Sequence, residues 1–338
     1  MTTSVLYGRH AISDQSSSSA GWFAFASKVH YLMLKPSLEE IGNGVYAWIG
    51  VNGDSNAGAV LTSDGMLAID AQQTKELGRS FRAAIEKETG RPTTQLVDTH
   101  LHLDHTAGNV AFADIPIVAQ EKTLRSMEAY LGAVDGNRWL VSDPGEKLRL
   151  FFGSNVQDLV PRGDPLEQWF LKRLSGPDYD TIELIGPSET FSNQMVFQRR
   201  EGTLRADYWG AAHCDGDLIL HIPRQKIAFL GDLLFVGRFP WLGDCDLDGW
   251  IARLDRILSL DIDTVVPGHG GLSTLKEVAS FRGLLVSLRA AVHGAVVSGL
   301  SEDATVHEVA LPQYAAMPRY REWLPSNLRA AYRYLKQG

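Results

Sequence analysis

The feature that most constrains this chain is a six-residue run at positions 100 to 105, His-Leu-His-Leu-Asp-His. Three imidazoles and a carboxylate packed side by side leave lone pairs and N–H groups that need partners, and burying such a cluster is costly without a cation. On an extended segment, alternation predicts His100, His102 and Asp104 on one side, with His105 following where the chain bends away. The run therefore calls for a fold that holds a strand end rigid around a metal. Histidine with aspartate suits zinc and related ions.

Three further residues occupy comparable places. His213 lies in Ala-Ala-His-Cys-Asp-Gly-Asp before the apolar run Leu218 to Ile222, which predicts a loop entering a strand. Asp232 is expected to end a strand over Lys226 to Leu230, and His269 another that contains Thr264 to Val266. Strand-edge loops are where rigid scaffolds usually present functional groups. Taken singly, a lone histidine or turn aspartate is more often structural, so these three gain weight only beside the run at 100 to 105.

With Asp70 in Leu-Ala-Ile-Asp, these residues form five motifs in a fixed order, and in that order the sequence resembles the metallo-β-lactamase fold superfamily over roughly residues 40 to 271. The resemblance implies a four-layered αββα sandwich with the metals at one edge. It also implies that His100, His102 and His213 hold one metal, that Asp104, His105 and His269 hold a second, and that Asp232 bridges them. Antibiotic-degrading members carry cysteine or serine where this chain has Asp232, so the ligand set looks closer to glyoxalase II-like thioesterases and lactonases. Neither Cys214 nor Cys245 restores the lactamase pattern, and His102 stands where flavodiiron-type relatives carry glutamate.

The implied cofactors are two zinc ions, with iron or manganese as alternatives. Two cations about 3.5 to 4 Å apart share a hydroxide, because coordination lowers the pKa of water toward roughly 7. The expected enzyme is thus a dinuclear hydrolase that attacks an ester, lactone, thioester or amide with that hydroxide. Asp104 would orient the water or accept its proton. Asp70 would stand behind the ligands, accepting a hydrogen bond from an imidazole. The alternatives are a mononuclear iron persulfide dioxygenase, a β-lactamase-like activity, and a non-catalytic metal-binding relay protein.

Composition narrows the partners. Among the 338 residues, 32 Lys and Arg stand against 40 Asp and Glu, a net charge of −8, which disfavours a nucleic-acid backbone as partner. A small-molecule substrate is expected, with no membrane partner and a homo-oligomer as an open option. Two cysteines make no disulfide framework. Trp22 to Ala26 is too short, and too close to the polar run Asp14 to Ser19, to read as a secretory signal. No segment reads as a membrane span, and a cytoplasmic location is favoured over a secreted or periplasmic one.

The domain reading has an N-terminal arm at 1 to 35, containing an apolar stretch Val29 to Leu34, a catalytic domain at 36 to 271, and a helical extension at 272 to 338. Strands are expected at Val45 to Ile49, Gly58 to Ser63, Met66 to Asp70, Gln95 to Asp98, Ile115 to Ala119, Met195 to Arg199 and Leu218 to Ile222. Helices are expected at Thr74 to Thr89 and Asp248 to Leu260. An insertion at 121 to 180, rich in aromatics such as Trp139, Phe151, Phe152 and Trp169, reads as helical and as either a lid over the pocket or a packing interface. Candidate pocket residues are Tyr208 and Trp209 beside the His213 loop, and Phe235, Phe239 and Trp241 after Asp232. No role is expected for His10, His30, His221, His293 or His307.

Overall fold

The computed structural model describes residues 36–51 and 54–337, so the expected N-terminal arm lies outside the described residues. The described chain opens with an antiparallel meander, β1 (Ser37–Gly42), β2 (Val45–Ile49), β3 (Ala57–Leu61) and β4 (Met66–Ile69). Helix α1 (Lys75–Thr89) follows, and β5 (Thr93–Val97) returns parallel to β4. The helix begins where Thr74 accepts a hydrogen bond from the Leu77 amide, and it stops at Gly90, whose φ of 63° suits glycine. With β6 (Ile117–Gln120) and a later strand the first sheet has seven strands.

Residues 121–180 depart from the purely helical reading. They contain α3 (Glu121–Leu131), α4 (Pro144–Phe152), α5 (Val156–Leu159) and α6 (Pro165–Leu174), but also β7 (Arg138–Val141), which pairs with β8 (Ile182–Ile185) in a separate two-stranded sheet. The short strand β9 (Glu189–Phe191) then completes the first sheet beside β6.

The second sheet runs in simple order through β10 (Gln194–Arg199), β11 (Gly202–Tyr208), β12 (Leu218–Ile222), β13 (Ile227–Phe235) and β14 (Thr264–His269). The first four pair antiparallel, and β14 pairs parallel to β13 after a crossover through α7 (Leu247–Leu258). Helices α8 (Leu275–Val297), α9 (Glu302–Glu308) and α10 (Tyr320–Gln337) follow.

Three apolar layers show how the elements stack. Val60, Leu67, Ile69 and Val97 of the first sheet meet Leu204, Leu220, Phe229 and Val266 of the second, which closes the sandwich. Phe81 and Ile85 of α1 pack with Met66, Ala68, Leu96 and Ile117 on the outer face of the first sheet. Trp250 and Leu254 of α7 and Phe281 and Leu285 of α8 pack with Ile219, Ala228 and Leu230 on the outer face of the second. The result is the αββα order. Every residue of β13 is buried, as expected for a strand covered on both faces.

One expectation about membranes needs correction. Helix Leu275–Val297 has the length and apolar composition of a membrane span. Its Val278, Phe281, Leu284, Leu285, Leu288 and Val292 nevertheless lie in the same core as α7, and a capping box of Thr274 and Glu277 starts it. These contacts cover one side of the helix, and 33% of its most apolar window is buried.

Candidate metal centre

The parallel strands β4, β5, β13 and β14 deliver their C-terminal ends to one edge of the sandwich. Asp70 follows β4, the histidine run follows β5, Asp232 lies within β13 and His269 closes β14. His213 joins them from the loop between β11 and β12. Such edges are where open α/β sheets gather ligands, since several chain reversals meet there without a covering helix.

Strand alternation does not explain the run itself. The chain turns directly after His102, whose φ and ψ of −62° and 142° open the helical turn α2 (Leu103–Thr106). The Thr106 hydroxyl donates to the carbonyl oxygens of Leu101 and His102, each at 3.1 Å, and tightens that turn. Asp104 and His105 therefore reach the site by helical spacing, where extended geometry would have aligned Asp104 with His100 and His102. Asp232 also departs from its expected place. It lies inside β13, beyond Gly231, where φ is 49° and the register against β14 shifts. That irregularity turns the Asp232 carboxylate toward the ligand edge.

Two quartets result, His100, His102, His213 and Asp232, and Asp104, His105, Asp232 and His269. In each, one donor atom per residue lies within 4.8 Å of the others. Asp232 belongs to both. Its Oδ2 is 3.5 Å from Nε2 of His213 and 3.9 Å from Nε2 of His100, whereas Oδ1 is 3.2 Å from Nε2 of His105 and 3.4 Å from Nε2 of His269. Nε2 of His269 is also 3.1 Å from Oδ2 of Asp104.

The donor set fits cations on an independent ground. Nε2 of His100 and His105 and Oδ1 of Asp232 are buried without a hydrogen-bond partner. Orphaned buried polar atoms are rare, and several aimed at one point indicate an occupant that a lone pair can bind.

Hydrogen bonds behind the ligands set their tautomers. Asp70, buried and held at a φ of 58°, accepts from the Thr99 amide at 2.7 Å, the Thr99 hydroxyl at 2.9 Å and Nδ1 of His105 at 2.8 Å. A carboxylate only accepts, so the neutral form of His105 carries its proton on Nδ1 and presents Nε2 as a lone pair. Having donated to Asp70, the Thr99 hydroxyl must accept from Nδ1 of His100, 3.0 Å away. His100 thus also presents Nε2.

Electrostatics divides the site. Burial pushes His100 and His102 below the ordinary histidine range and His213 down to about 3, so these three stay neutral. Burial opposes protonation of His105 and His269 as well, but Asp70, Asp232 and Asp104 outweigh it at His105, and Asp232 leads at His269, so both are raised. Asp104 and Asp232 resist the upward push of burial because those imidazoles hold them low.

The pocket differs from the expected one. A small cavity of about 60 Å³ opens beside Asp104 and His269, and its walls include Phe152, Trp169, Trp323, Arg173, Arg238 and Arg319. Of the five candidate pocket residues, only Phe235 touches the ligands, stacking on His269 at 5.3 Å and lying 5.5 Å from the His213 ring. Phe239 packs against Tyr320, and the Trp241 indole donates to the Phe152 carbonyl behind the cavity wall. Tyr208 meets Lys122, and Trp209 lies under Arg256 at 3.9 Å, both outside the cavity. Packing is the favoured expectation for Tyr208 and Trp209, and these contacts are packing contacts. Within the insertion, α4 and α6 contribute Phe152, Trp169 and Arg173 to this wall. The arginines escaped sequence reading because no local pattern marks them.

Comparison with known proteins agrees with this geometry. The family model described as the metallo-beta-lactamase superfamily matches residues 53–269. The alpha subunit of a 2,4-dinitroanisole O-demethylase from Nocardioides sp. (strain JS1661) is 24% identical over 238 residues, covering 68% of this chain and 54% of the relative. A linear primary-alkylsulfatase from Pseudomonas sp. (strain ATCC 19151) is 22% identical over 292 residues, covering 81% and 54%. The chain spans about half the length of these two relatives. Among solved structures, a metallo-beta-lactamase from Pontibacter korlensis matches with a TM-score of 0.53 at 19% identity, over 74% of this chain and 99% of its own. A stereoselective inverting sec-alkylsulfatase from Pseudomonas sp. matches with a TM-score of 0.59 at 17% identity, over 88% and 50%. Both likenesses concern the fold alone.

Proposed function

The chain belongs to the metallo-beta-lactamase superfamily, and from that premise we propose that it is a metal-dependent hydrolase that cleaves an ester-type bond of a small substrate with an activated water. The observation that carries this reading is the pair of quartets sharing Asp232. Cations held there would lower the pKa of a coordinated water toward about 7 and draw charge from the oxygen of the scissile bond.

The protein's own groups complete the chemistry. Asp104 borders the cavity with its Oδ2 directed at His269, so it can orient the attacking water and take up its proton. Asp70 keeps lone pairs of His105 and, through Thr99, of His100 directed into the site. The aromatic wall of Phe152, Trp169 and Trp323 excludes water from the rest of the substrate. The names of the O-demethylase and alkylsulfatase relatives favour a bond to oxygen within the class of esters, lactones, thioesters and amides. Two zinc ions are the proposed cofactors, with iron and manganese as the alternatives to be tested.

Metal quantification paired with a hydrolysis panel tests the reading. The panel should include alkyl sulfates, carboxylic esters, lactones, thioesters and β-lactams. Hydrolysis of at least one, abolished by chelation and restored by added metal, is expected. Full activity after chelation would sink it, as would oxygen consumption without hydrolysis in an iron-loaded protein.

A further inference from the structure

We propose that Arg173, Arg238 and Arg319 form a receptor for a compact oxyanion carried by the substrate, so that this enzyme selects anionic molecules. The inference deepens the hydrolase reading and rests on it for the word substrate, but the binding site itself is argued from these residues.

The three arginines come from separate parts of the chain and converge on one cavity. Arg173 lies in α6 of the insertion, Arg238 in the loop after β13, and Arg319 just before α10 in the C-terminal extension. That cavity also exposes Asp104 and His269, so an anion seated there is adjacent to the metal ligands. Nη1 of Arg238 approaches Nδ1 of His269 at 3.3 Å.

Their surroundings hold them in place. Arg238 lies over the ring of Trp323 at 4.7 Å and over Phe235 at 5.6 Å. Arg319 and Arg173 both meet the ring of Trp169, at 4.6 Å and 5.9 Å. An aromatic ring attracts a guanidinium through its charge and accepts none of the in-plane N–H donors by which arginine matches an oxyanion. Nη2 of Arg173 is further fixed by donating to Oε1 of Gln73 at 3.0 Å.

Several arginines elsewhere on this protein pair with carboxylates, although Arg199 donates to the Leu61 and Asn43 carbonyls and Arg256 lies over Trp209. Arg82 meets Asp114, Arg282 meets Asp255, Arg289 meets Asp248 and Arg333 meets Glu302. At the cavity, by contrast, Arg173 meets an amide and Arg319 an indole. Asp54 interacts with Arg173, and Asp232 and Asp104 with Arg238, and the last two carboxylates belong to the ligand quartets. When they are engaged with cations, the cavity retains a surplus of positive charge, in a chain whose net charge is −8.

The backbone supplies an independent indication. Arg319 has a φ of 70°, a left-handed conformation that a long side chain rarely adopts. Such strain persists where the surroundings over-determine it, and it clusters at ligand clamps. Here it aims Arg319 at the wall shared with Trp169.

The test uses the full metal-loaded chain and two single variants, Arg173→Gln and Arg319→Gln, with Arg319→Lys as a conservative control. Calorimetric titration with inorganic sulfate, inorganic phosphate and acetate at constant ionic strength reads binding without turnover, and separates tetrahedral oxyanions from carboxylates. Wild type should bind at least one, and each Gln variant should bind it about tenfold or more weakly at unchanged metal content, with Arg319→Lys intermediate. For esters carrying that oxyanion, KM should rise by a similar factor with a smaller change in kcat. Equal binding by wild type and both Gln variants, as for an anion held by the metals alone, would overturn the proposal, as would no binding by wild type. If all esters resist hydrolysis while oxyanion binding still follows the arginines, the hydrolase reading fails and this one stands. Should a Gln variant misfold, the Lys control carries the comparison.

Discussion

Oδ2 of Asp70 and Nδ1 of His105 lie 2.8 Å apart, and the same carboxylate oxygen accepts the Thr99 hydroxyl that in turn faces His100. One buried aspartate therefore sets the tautomer of a ligand in each quartet. Asparagine tolerates the positive φ at this position but offers one acceptor oxygen where three donors converge. Asp70→Asn should keep the fold and weaken metal binding by about 10–100-fold, with both quartets affected. Competition with a fluorescent chelator measures it, and unchanged affinity would contradict the relay.

Thr99 separates the two arms. Thr99→Val removes the hydroxyl that links Asp70 to His100 but leaves the Asp70–His105 bond in place, so one metal should weaken while the other is retained. Thr99→Ser should behave like wild type. Metal stoichiometry after dialysis against a weak chelator distinguishes these outcomes.

Asp232 is common to both quartets, so Asp232→Ala should deplete both metals and abolish turnover, whereas Asp104→Ala should deplete one. If Asp232→Ala keeps the protein's biological activity while losing metal, a binding or relay role replaces the hydrolase.

The pH dependence of metal binding follows from the raised histidines. In the metal-free protein Asp70, Asp232 and Asp104 hold His105 well above the ordinary histidine value of about 6.5, and Asp232 leads in raising His269. Cations need those lone pairs, so loading should release protons near neutral pH, and fewer as the pH rises. For metal-free stability, these two contribute fully below about 6.5, and the contribution is lost as pH rises through their higher folded values. His100, His102 and His213 act in the opposite sense, contributing above about 6.5 and losing it as pH falls toward their depressed folded values, about 3 for His213. Proton counting during zinc titration checks the first statement, and no release at pH 7 would refute it.

Gly268 marks a close approach beside the bridging carboxylate. A Cβ there would run into Oδ1 of Asp232 and meet the Gly231 backbone at about 2.6 Å. Gly268→Ala should therefore cost about 1–3 kcal/mol, as overpacking does, and reduce metal occupancy. Denaturant unfolding with and without metal separates the two effects.

Much of the ligand set was legible because short-range chemistry dictates it. Four donor residues within six positions need a common occupant whatever the exact backbone, and the apolar periodicity of α1, β12 and α7 matches their observed positions to within a few residues. Local detail was less legible. Alternation assigned Asp104 to a strand face, but the turn locked by Thr106 overrode it, and the bulge at Gly231 carried β13 past Asp232. The short strands β1, β7 and β9 have no strong pattern of their own and exist because a neighbour pairs with them.

The sequence by itself determined that His100, His102, Asp104 and His105 would act together, because residues so close along the chain cannot escape one another's charge and hydrogen-bonding demands. Only the tertiary structure decided what surrounds them. Whether Tyr208 or Arg319 borders the cavity depends on how the insertion and the C-terminal helices fold back over one sheet edge, and contacts between distant segments leave no spacing to read.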